Sequence, residues 1–233
     1  MSDPYHIKRL DLHVHTIYSM SPRLKVGPIS FYLHLRDGFN TFKDIRMRVR
    51  ERGLDGVAIT DHNTIKGAKK FATYESDMII LVGEEIKTLA GDIIALGIEE
   101  EIKPHLPPEE TLDIIKELNG ITILPHPLAK KGVGSYLKNF SKKIDAIETL
   151  NSMIPKVLNQ KANSLANEFK IPKTGGSDAH IPESIGDAVT EIDCSNEPIL
   201  EAIKKGRTNV YGVNHSLLGI TRRKLKHWKL KYF

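Results

Sequence analysis

The chain alternates short apolar runs with segments in which apolar residues recur at helical spacing. Most of the runs are rich in Ile, Val and Leu and are nearly continuous, as expected for strands that are buried on both faces. Strands are predicted at residues 7–15, 56–60, 78–82, 93–98, 121–124, 144–150, 173–176, 188–192 and 209–211. Strands and helices therefore alternate about seven times, and this order favours a parallel sheet in an α/β fold.

The helices are predicted from their caps and from the spacing of their apolar positions. Thr41 can cap a helix whose inward residues are Phe42, Ile45 and Val49, and Gly53 ends it. Further helices are expected at residues 64–71, 107–118, 155–169 and 198–205. Two segments without a regular period, residues 16–40 and 128–142, are expected to be loops that set substrate specificity, the first with a short helix near residues 31–35.

Residue types that bind metals follow five of the predicted strands. His13 and His15 are two residues apart on the first strand, so both imidazoles point to one face. The other four groups are Asp61-His62, Glu84-Glu85, His126 and Asp178-His180. Strand ends converge at the carboxyl-terminal rim of a barrel, whereas an open sheet spreads them along a line. We therefore predict a closed barrel of about seven strands in a single domain.

The collected side chains are mixed imidazoles and carboxylates, a set that suits Zn, Mn or Fe. They are His13, His15, Asp61, His62, Glu85, His126, Asp178 and His180. One tetrahedral zinc takes about four ligands, so this number indicates two or three divalent metal ions. Ions ~3.5–4 Å apart serve phosphoryl hydrolysis, because they lower the pKa of a shared water and screen the charge on the phosphate. Glu85 is the predicted bridge, since a carboxylate has two oxygens.

Five ordered motifs, which extend over nearly the whole chain, together resemble the polymerase and histidinol phosphatase (PHP) family. They are Asp11-Leu12-His13-Val14-His15, Thr60-Asp61-His62-Asn63, Gly83-Glu84-Glu85-Ile86, His126-Pro127 and Gly176-Ser177-Asp178-Ala179-His180. The resemblance implies a distorted TIM-like (β/α)7 barrel and a metal-dependent phosphoesterase with three ions. It implies that one ion is held by His13, His15, Glu85 and Asp178, the second by Glu85 and His126, and that the third is partly held by His62 and His180. The residues expected to serve catalysis are His13, His15, Asp178 and His180.

The chain departs from the family pattern in two places, and both concern the third ion. The family often has a histidine after a glycine in the fourth strand, where this chain has Gly91-Asp92. Asp92 is either an oxygen ligand in its place or a turn residue. The family also often has an Asp in a Ser-Asp-Gly shortly after the first histidine pair, where this chain has Ser19-Met20-Ser21.

Several polar residues outside these ligand sets have two interpretations. Asp11 is expected to orient a histidine, and Asp61 is either a metal ligand or a residue at a helix start. Arg207 is the predicted phosphate clamp, because a guanidinium binds phosphate in a bidentate manner, and its alternative is a solvated helix end. Lys130, on a basic glycine-containing loop, and His215, after the last strand, are further candidates for substrate binding.

The charge of the chain is unevenly distributed. The net charge is +5, from 34 Lys and Arg and 29 Asp and Glu, yet nine of the basic residues and none of the acidic ones follow Glu201. We divide the chain into a phosphoesterase barrel at residues 1–221 and a basic tail at residues 222–233. Aromatic residues alternate with lysines in the tail, so it either contacts nucleic acid or closes the bottom of the barrel.

Other features bear on the compartment. The single cysteine, Cys194, excludes an internal disulfide and fits a cytoplasmic protein. No apolar run approaches the ~20 residues that span a bilayer, so no membrane contact is expected. The start of the chain lacks the basic and apolar regions of a secretory signal. The sequence does not indicate an oligomeric state.

We therefore expect a hydrolase that cleaves phosphate esters by attack of a metal-bound hydroxide. Its substrate would be a phosphorylated small molecule or a nucleotide, with phosphomonoesters and phosphodiesters both open. One alternative is a non-catalytic RNA-binding subunit on a PHP-like barrel, which would not need eight convergent metal-binding side chains. Another is a metal-dependent amidohydrolase, which usually adds a lysine between the first and the later ligands.

Overall fold

The computed structural model describes residues 6–20, 24–26, 31–33, 35–129, 134, 137–195 and 197–232. The strands are β1 (Ile7–Val14), β2 (Leu24–Val26), β3 (Phe31–Leu33), β4 (Gly56–His62), β5 (Ile79–Thr88), β6 (Gly91–Leu96), β7 (Ile121–Leu124), β8 (Ala146–Asn151), β9 (Lys173–Gly176), β10 (Ala188–Asp193) and β11 (Thr208–Gly212). The helices are α1 (Phe42–Arg52), α2 (Lys66–Tyr74), α3 (Pro108–Glu117), α4 (Leu137–Phe140), α5 (Lys156–Phe169), α6 (Ile199–Lys204) and α7 (Leu217–Tyr232).

One large sheet forms the body of the protein, with the strand order β11-β10-β1-β4-β5-β6-β7-β8-β9. Among the described strands of this sheet, seven run in one direction, and β6 and β10 run against them. The predicted sheet was parallel throughout, so these two strands are a correction. The hairpin from β5 to β6 explains the first, because the two strands are joined by a two-residue turn that allows only antiparallel pairing.

The sheet curls into a nearly closed, distorted TIM-like barrel, as predicted. Val14, at the end of β1, forms a parallel bridge with Ala179, which follows β9. The Thr190 hydroxyl on β10 bonds to both the N–H and the carbonyl of Gly175 on β9. The two ends of the strand order therefore lie against each other, and the carboxyl ends of the seven co-directional strands share one rim.

A β-bulge in β1 turns the two histidines into the barrel. The register of β1 against β4 shifts between Asp11 and Val14. Before the bulge, Leu12 packs with the cluster that includes Ile94, whereas Val14 packs with the cluster of α1 and α2. Residues two apart on a regular strand point to the same face, so Leu12 and Val14 would then pack in the same cluster. They do not, because the bulge between them reverses the order of the faces. His13 and His15 thereby take over the inward face.

Helix α1 confirms the prediction made from its caps. Thr41 forms a capping box with Asp44, and Gly53 ends the helix with a left-handed φ of 62°. Ile45 and Val49 are buried on its inner face, as expected. The short helix predicted near residues 31–35 is wrong, since Phe31–Leu33 is a strand paired with Leu24–Val26.

Helix α7 contains most of the predicted basic tail. The predicted boundary at residues 221 and 222 falls inside this helix. His227 and Lys231 of α7 bind Asp37, near the carboxyl-terminal rim, so the expectation that the tail closes the barrel bottom is wrong. None of the helices within the described ranges combines the length and apolar character needed to cross a membrane.

Candidate metal centre

Side chains from β1, β4, β5 and the segments after β7 and β9 meet inside the carboxyl-terminal rim. The Nε2 atoms of His13 and His15 are 3.2 Å apart. Oδ1 of Asp178 lies 3.7 Å from the first of these atoms and 3.4 Å from the second. Both histidines are fully buried, so the sequence-predicted pair forms the base of a compact cluster.

Glu85 lies at the centre of this cluster, as its predicted bridging role requires. Its Oε1 is 3.0 Å from Nε2 of His126. Its Oε2 is 2.8 Å from Nδ1 of His62 and about 3.5 Å from the ring nitrogens of the β1 pair (3.6 Å for His13 and 3.5 Å for His15). Yet Oε2 is buried and has no hydrogen-bond partner among the described residues.

Three groups of ligand atoms are close enough to hold a metal ion each. Within each group, all ligand atoms lie within 4.8 Å of one another. The groups are His13 with His15 and Asp178, His13 with Glu85 and His126, and His15 with His62 and His180. The structure thus brings seven of the predicted ligands together, and the grouping resembles the three-ion arrangement.

Glu148, on β8, supports the cluster through its contacts with His13 and His126. Its Oε1 lies 3.0 Å from Nδ1 of His13, so the Nε2 atom of that ring is left free to face Glu85. Its Oε2 accepts the backbone N–H of His126 and the side-chain N–H of Asn151. A carboxylate on the far nitrogen of a histidine fixes the tautomer and the orientation of a metal-binding ring.

Asp37 is a site residue that the sequence analysis missed. Its Oδ2 is 3.4 Å from Nε2 of His62 and 4.0 Å from Nε2 of His180. Its backbone N–H donates to the carbonyl of Ser19, so Asp37 and Gly38 follow Ser19 directly in space. The strands β2 and β3 lie within the intervening residues 20–36, and a bridge joins Met20 to Arg36 at their base.

The missing Ser-Asp-Gly is therefore present, but it is interrupted by an insertion. A Cβ at Gly38 would lie 2.0 Å from the Thr16 carbonyl oxygen, so this close approach requires glycine. The signal in the sequence was the dipeptide Asp37-Gly38, which stands 18 positions after Ser19. The spacing in the sequence does not relate Ser19 to Asp37-Gly38, because the two ends of the inserted segment come together only in the folded structure.

His13, on β1, and His15, directly after it, are both buried but have opposite electrostatic environments. Burial lowers the pKa of His13, but Asp178 and Glu148 outweigh it and hold that pKa well above the usual value. For His15, burial and the neighbouring His180 act in the same direction and hold the pKa well below the usual value. Two protonated rings at this separation would repel each other, so the cluster favours at most one of them in the charged form.

The carboxylates of the cluster are held in their ionised form. Burial would raise the pKa of Glu85, but His62 and other imidazoles lower it well below its usual range. The same balance, with His13 as the main neighbour, lowers the pKa of Asp178. Ionised carboxylates are the form that binds cations.

Two of the candidate ligands have a strained backbone. His126 has a φ of 27° and Asp178 a φ of 56°, and both lie in the left-handed region that non-glycine residues rarely adopt. Such strain costs on the order of 1–3 kcal/mol and persists where the surroundings impose it, often at functional sites.

Two predicted metal ligands lie outside the cluster. Both carboxylate oxygens of Asp61 are occupied by Thr16, one by its N–H at 2.5 Å and one by its hydroxyl at 2.6 Å. Asp61 therefore fixes the chain after the histidine pair and is not placed as a ligand. Oδ1 of Asp92 accepts from Nζ of Lys87 at 2.8 Å, and Asp92 belongs to none of the three groups found among the described residues.

Asp11 is a structural residue in the structure. It is fully buried and accepts hydrogen bonds from the N–H and hydroxyl of Ser177 and from the N–H groups of Gly186 and His13. Burial raises the pKa of Asp11 to about 6. These bonds tie β1 to the segment after β9, so Asp11 positions His13 and Asp178 through the backbone.

Arg207 and His215, two of the three predicted substrate-binding residues, do not line the site. Arg207 precedes β11, at the opposite rim, and its guanidinium pairs with Glu197 at 3.0 Å, so its assignment as the phosphate clamp is wrong. His215 binds Asp187 through Nε2 at 2.9 Å and is not among the residues that line the cavity described next. Lys130 lies outside the described residues.

A cavity of about 440 Å³ opens beside the cluster. One wall carries the candidate ligands His126, Asp178 and His180, and the opposite wall is helix α7. The cations and aromatic residues of α7 that line it are Arg223, Lys224, His227, Trp228, Lys231 and Tyr232. No sequence pattern indicates that this helix borders the site, because the contact depends on where α7 packs.

The arrangement fits divalent metal ions. The buried Oε2 of Glu85, which has no hydrogen-bond partner among the described residues, faces three ring nitrogens, and without a cation between them these lone pairs would have to be protonated or left unsatisfied. Imidazole and carboxylate donors in such proximity suit Zn, Mn or Fe.

Comparison with known proteins identifies the family. Residues 157–208 match the family model described as PHP-associated. The uncharacterized protein MJ1587 of Methanocaldococcus jannaschii is 36% identical over 149 residues, which are 62% of this chain and 82% of that protein. The uncharacterized protein MJ0417 of the same organism is 31% identical over 189 residues, or 77% of this chain and 68% of that protein. The chain belongs to the PHP family.

Solved structures share the fold of this PHP protein. PsfC of Pseudomonas syringae has a TM-score of 0.71 at 15% identity and covers 97% of this chain and 99% of its own. A two-domain protein of Bacteroides vulgatus, which contains a predicted PHP-like metal-dependent phosphoesterase, has a TM-score of 0.67 at 16% identity, with 95% of this chain and 70% of its own covered. PfuEndoQ, a lesion-specific endonuclease of Pyrococcus furiosus, has a TM-score of 0.54 at 16% identity. The match covers 88% of this chain and 57% of PfuEndoQ.

Proposed function

We propose that this PHP protein is a metal-dependent phosphoesterase that hydrolyses phosphate esters with two or three divalent ions of Zn, Mn or Fe. The observation that carries the proposal is the position of Glu85. One oxygen of its carboxylate lies beside His126, and the other lies beside His62, His13 and His15. The cluster that they form opens into a cavity. A bridging carboxylate between imidazole sets is what a multinuclear phosphoesterase centre needs.

Each group of residues has a defined task in this proposal. When bound, the ions supply a water of lowered pKa and screen the negative charge of the phosphate. Glu148 keeps the ring of His13 in place, and Glu85 keeps His62 and His126 on opposite sides of the centre. Asp178 and His180 border the cavity, so an ester that enters it would approach the metal centre on their side.

The substrate class is proposed from the charge of the cavity. Three cations of α7, Arg223, Lys224 and Lys231, line the same cavity as the candidate ligands His126, Asp178 and His180, so an anionic phosphate ester is attracted to this cavity. A phosphorylated small molecule or nucleotide would fit a cavity of about 440 Å³. The similarity to an endonuclease fold keeps short oligonucleotides among the substrates worth testing.

The test is hydrolysis by the purified full chain with and without metal. Phosphate release is measured from 4-nitrophenyl phosphate, bis(4-nitrophenyl) phosphate and a short oligonucleotide. We expect hydrolysis of at least one of them to stop with a chelator and to return with Mn or Zn, while elemental analysis finds two or three ions per chain. Failure to cleave any phosphate ester after metals are restored would contradict the proposal.

A further inference from the structure

The α7 wall of the cavity carries two cations that the metal centre does not use. Arg223 and Lys224 line the cavity near the middle of the helix, whereas His227 and Lys231, nearer its carboxyl end, bind Asp37 beside the candidate ligands. The cavity is therefore bordered by charge at two separate places, and only one of them is adjacent to the cluster.

Arg223 belongs to a group with more positive than negative charge. The buried carboxylate of Asp187 accepts from Arg52 at 2.8 Å and from Arg223 at 3.0 Å, so two guanidinium groups share one anion. Nε of Arg223 is buried and has no hydrogen-bond partner among the described residues. The side chain of Arg223 as a whole remains 24% exposed and lines the cavity, so its guanidinium can bind a further anion there.

Lys224 adds a second positive charge beside it. Its side chain lines the same cavity, is exposed, and forms no ion pair with any residue that the structure describes. Its neighbours on the helix differ in this respect, since Lys226 pairs with Glu183 and Lys231 with Asp37. Lys224 can therefore pair with an anion without breaking an existing contact.

The distance between the two charged places follows from helix geometry. An α-helix rises 1.5 Å per residue, so Arg223 lies ~6 Å before His227 along the axis, and Lys224 lies ~10 Å before Lys231. A ligand that reaches from the cluster to both cations must therefore extend over roughly 6–10 Å. Met153, Ile154 and Trp228 line the cavity as well and offer apolar contacts to the part between.

We propose that Arg223 and Lys224 form a second anion subsite, and that this protein acts on phosphate esters whose leaving group carries a second anionic group beyond an apolar or aromatic body. The inference rests on the proposed phosphoesterase function, because it assigns the first phosphate to the metal centre. The second group is a carboxylate or a phosphate, both of which a guanidinium and an ammonium bind.

The experiment uses ligands that cannot be hydrolysed, so that its result does not depend on activity. Calorimetry with the Mn-supplemented full chain compares 4-carboxybenzylphosphonate with 4-carbamoylbenzylphosphonate, which has the same shape but no second charge. We expect the carboxylate to bind about five- to tenfold more tightly, as is typical of hydrogen bonds and ion pairs to a charged group. A third ligand, 1,4-bis(phosphonomethyl)benzene, shows whether phosphate is preferred to carboxylate.

Two variants locate the effect. Lys224→Met should reduce the preference for the charged ligand to about twofold or less, because it removes one of the two cations and keeps the length of the side chain. Lys229→Met, on the same helix but outside the cavity lining, should leave the preference unchanged. Equal binding of the two ligands by the unaltered protein, or a preference that Lys224→Met does not change, would overturn the subsite.

The two proposals fail in different ways. If the phosphonates bind with the expected preference but no ester is cleaved, the anion subsite stands and the phosphoesterase function does not. If esters are cleaved but the second charge has no effect on binding, the function stands and the subsite is refuted.

Discussion

The carboxylates at the two rims of the barrel differ in their partners and in their burial. At the amino-terminal rim, carboxylates pair with partly exposed cations, as in Lys143 with Asp113 and Arg207 with Glu197. At the carboxyl-terminal rim, five imidazoles surround the buried carboxylate of Glu85 and the partly exposed carboxylate of Asp178, and one oxygen of Glu85 has no hydrogen-bond partner among the described residues.

This difference separates an ordinary surface from a functional site. Exposed ion pairs contribute little to stability and need nothing further. A buried cluster with a surplus of lone pairs is costly unless a cation satisfies it, so its persistence indicates a ligand. The carboxyl-terminal rim is also where the backbone of His126 and Asp178 is strained.

The strongest test of the comparison is Glu85→Gln. The amide keeps the size of the side chain but removes the negative charge that links the imidazoles, so both metal binding and hydrolysis should fall by more than about 100-fold. Elemental analysis and phosphate release measure the two effects. Glu197→Gln at the other rim is the matched control and should leave both unchanged, and a Glu85→Gln protein with full metal content would refute the bridging role.

Glu148→Gln should have the next largest effect. The amide can still contact His13 but no longer presents a negative charge to its ring, so metal affinity should fall about 10- to 100-fold. Titration of the metal-free protein with Mn, followed by calorimetry, measures the change. Circular dichroism that matches the unaltered protein would show that the fold is intact, and an unaltered affinity would mean that Glu148 only supports the backbone of His126.

The fold and the core of the candidate site could be predicted because both depend on local patterns. Apolar runs marked the strands, and metal-binding residue types after five of them are sufficient to predict a shared rim. The His13 and His15 pair, Glu85 and Asp178 follow this rule, although the bulge that turns the histidines inward leaves no sequence signal.

The parts that could not be predicted depend on contacts between distant segments. Asp37 reaches the site only because the chain returns to Ser19 after an insertion, and His227 reaches it only because α7 packs over the rim. Arg207 is a different case, because it lies between the helix predicted at residues 198–205 and the strand predicted at 209–211, an order that already indicates the amino-terminal rim. Its place before β11 determines which rim it occupies.

The two faces of β5 give a smaller test. Glu84 and Glu85 are adjacent and both buried, but Glu84 points away from the imidazoles, where one oxygen accepts the N–H of Ile102 and the other has no partner among the described residues. Burial, together with nearby Glu101, raises the pKa of Glu84 to about 7. The unfolded chain ionises at its ordinary, lower pKa, so this group favours the folded state below that pKa, and the advantage is lost as the pH rises to 7.

Glu84→Gln removes this dependence. The unaltered protein should lose unfolding free energy as the pH rises from 4 to 8, and the variant should not. The unfolding free energy of the variant, relative to that of the unaltered protein, should therefore be about 2 kcal/mol higher at pH 8 than at pH 4. Urea denaturation of both proteins at the two pH values, with chelator present to exclude metal effects, measures the difference. A difference that does not change with pH would mean that Glu84 ionises normally in the folded protein.

The smallest expected effect is that of Arg207→Met, and it tests the comparison of the rims directly. Arg207 pairs with Glu197, which also pairs with Lys205, so the carboxylate keeps a partner when the guanidinium is removed. The lost ion pair is partly exposed and should cost less than about 1 kcal/mol of unfolding free energy. Hydrolysis of 4-nitrophenyl phosphate should stay within about twofold of the unaltered protein, because the amino-terminal rim lies at the opposite end of the barrel from the metal centre. A large loss of kcat/KM with unchanged stability would indicate that substrate binds at the amino-terminal rim. The cluster of candidate metal ligands at the other rim would then serve something other than hydrolysis.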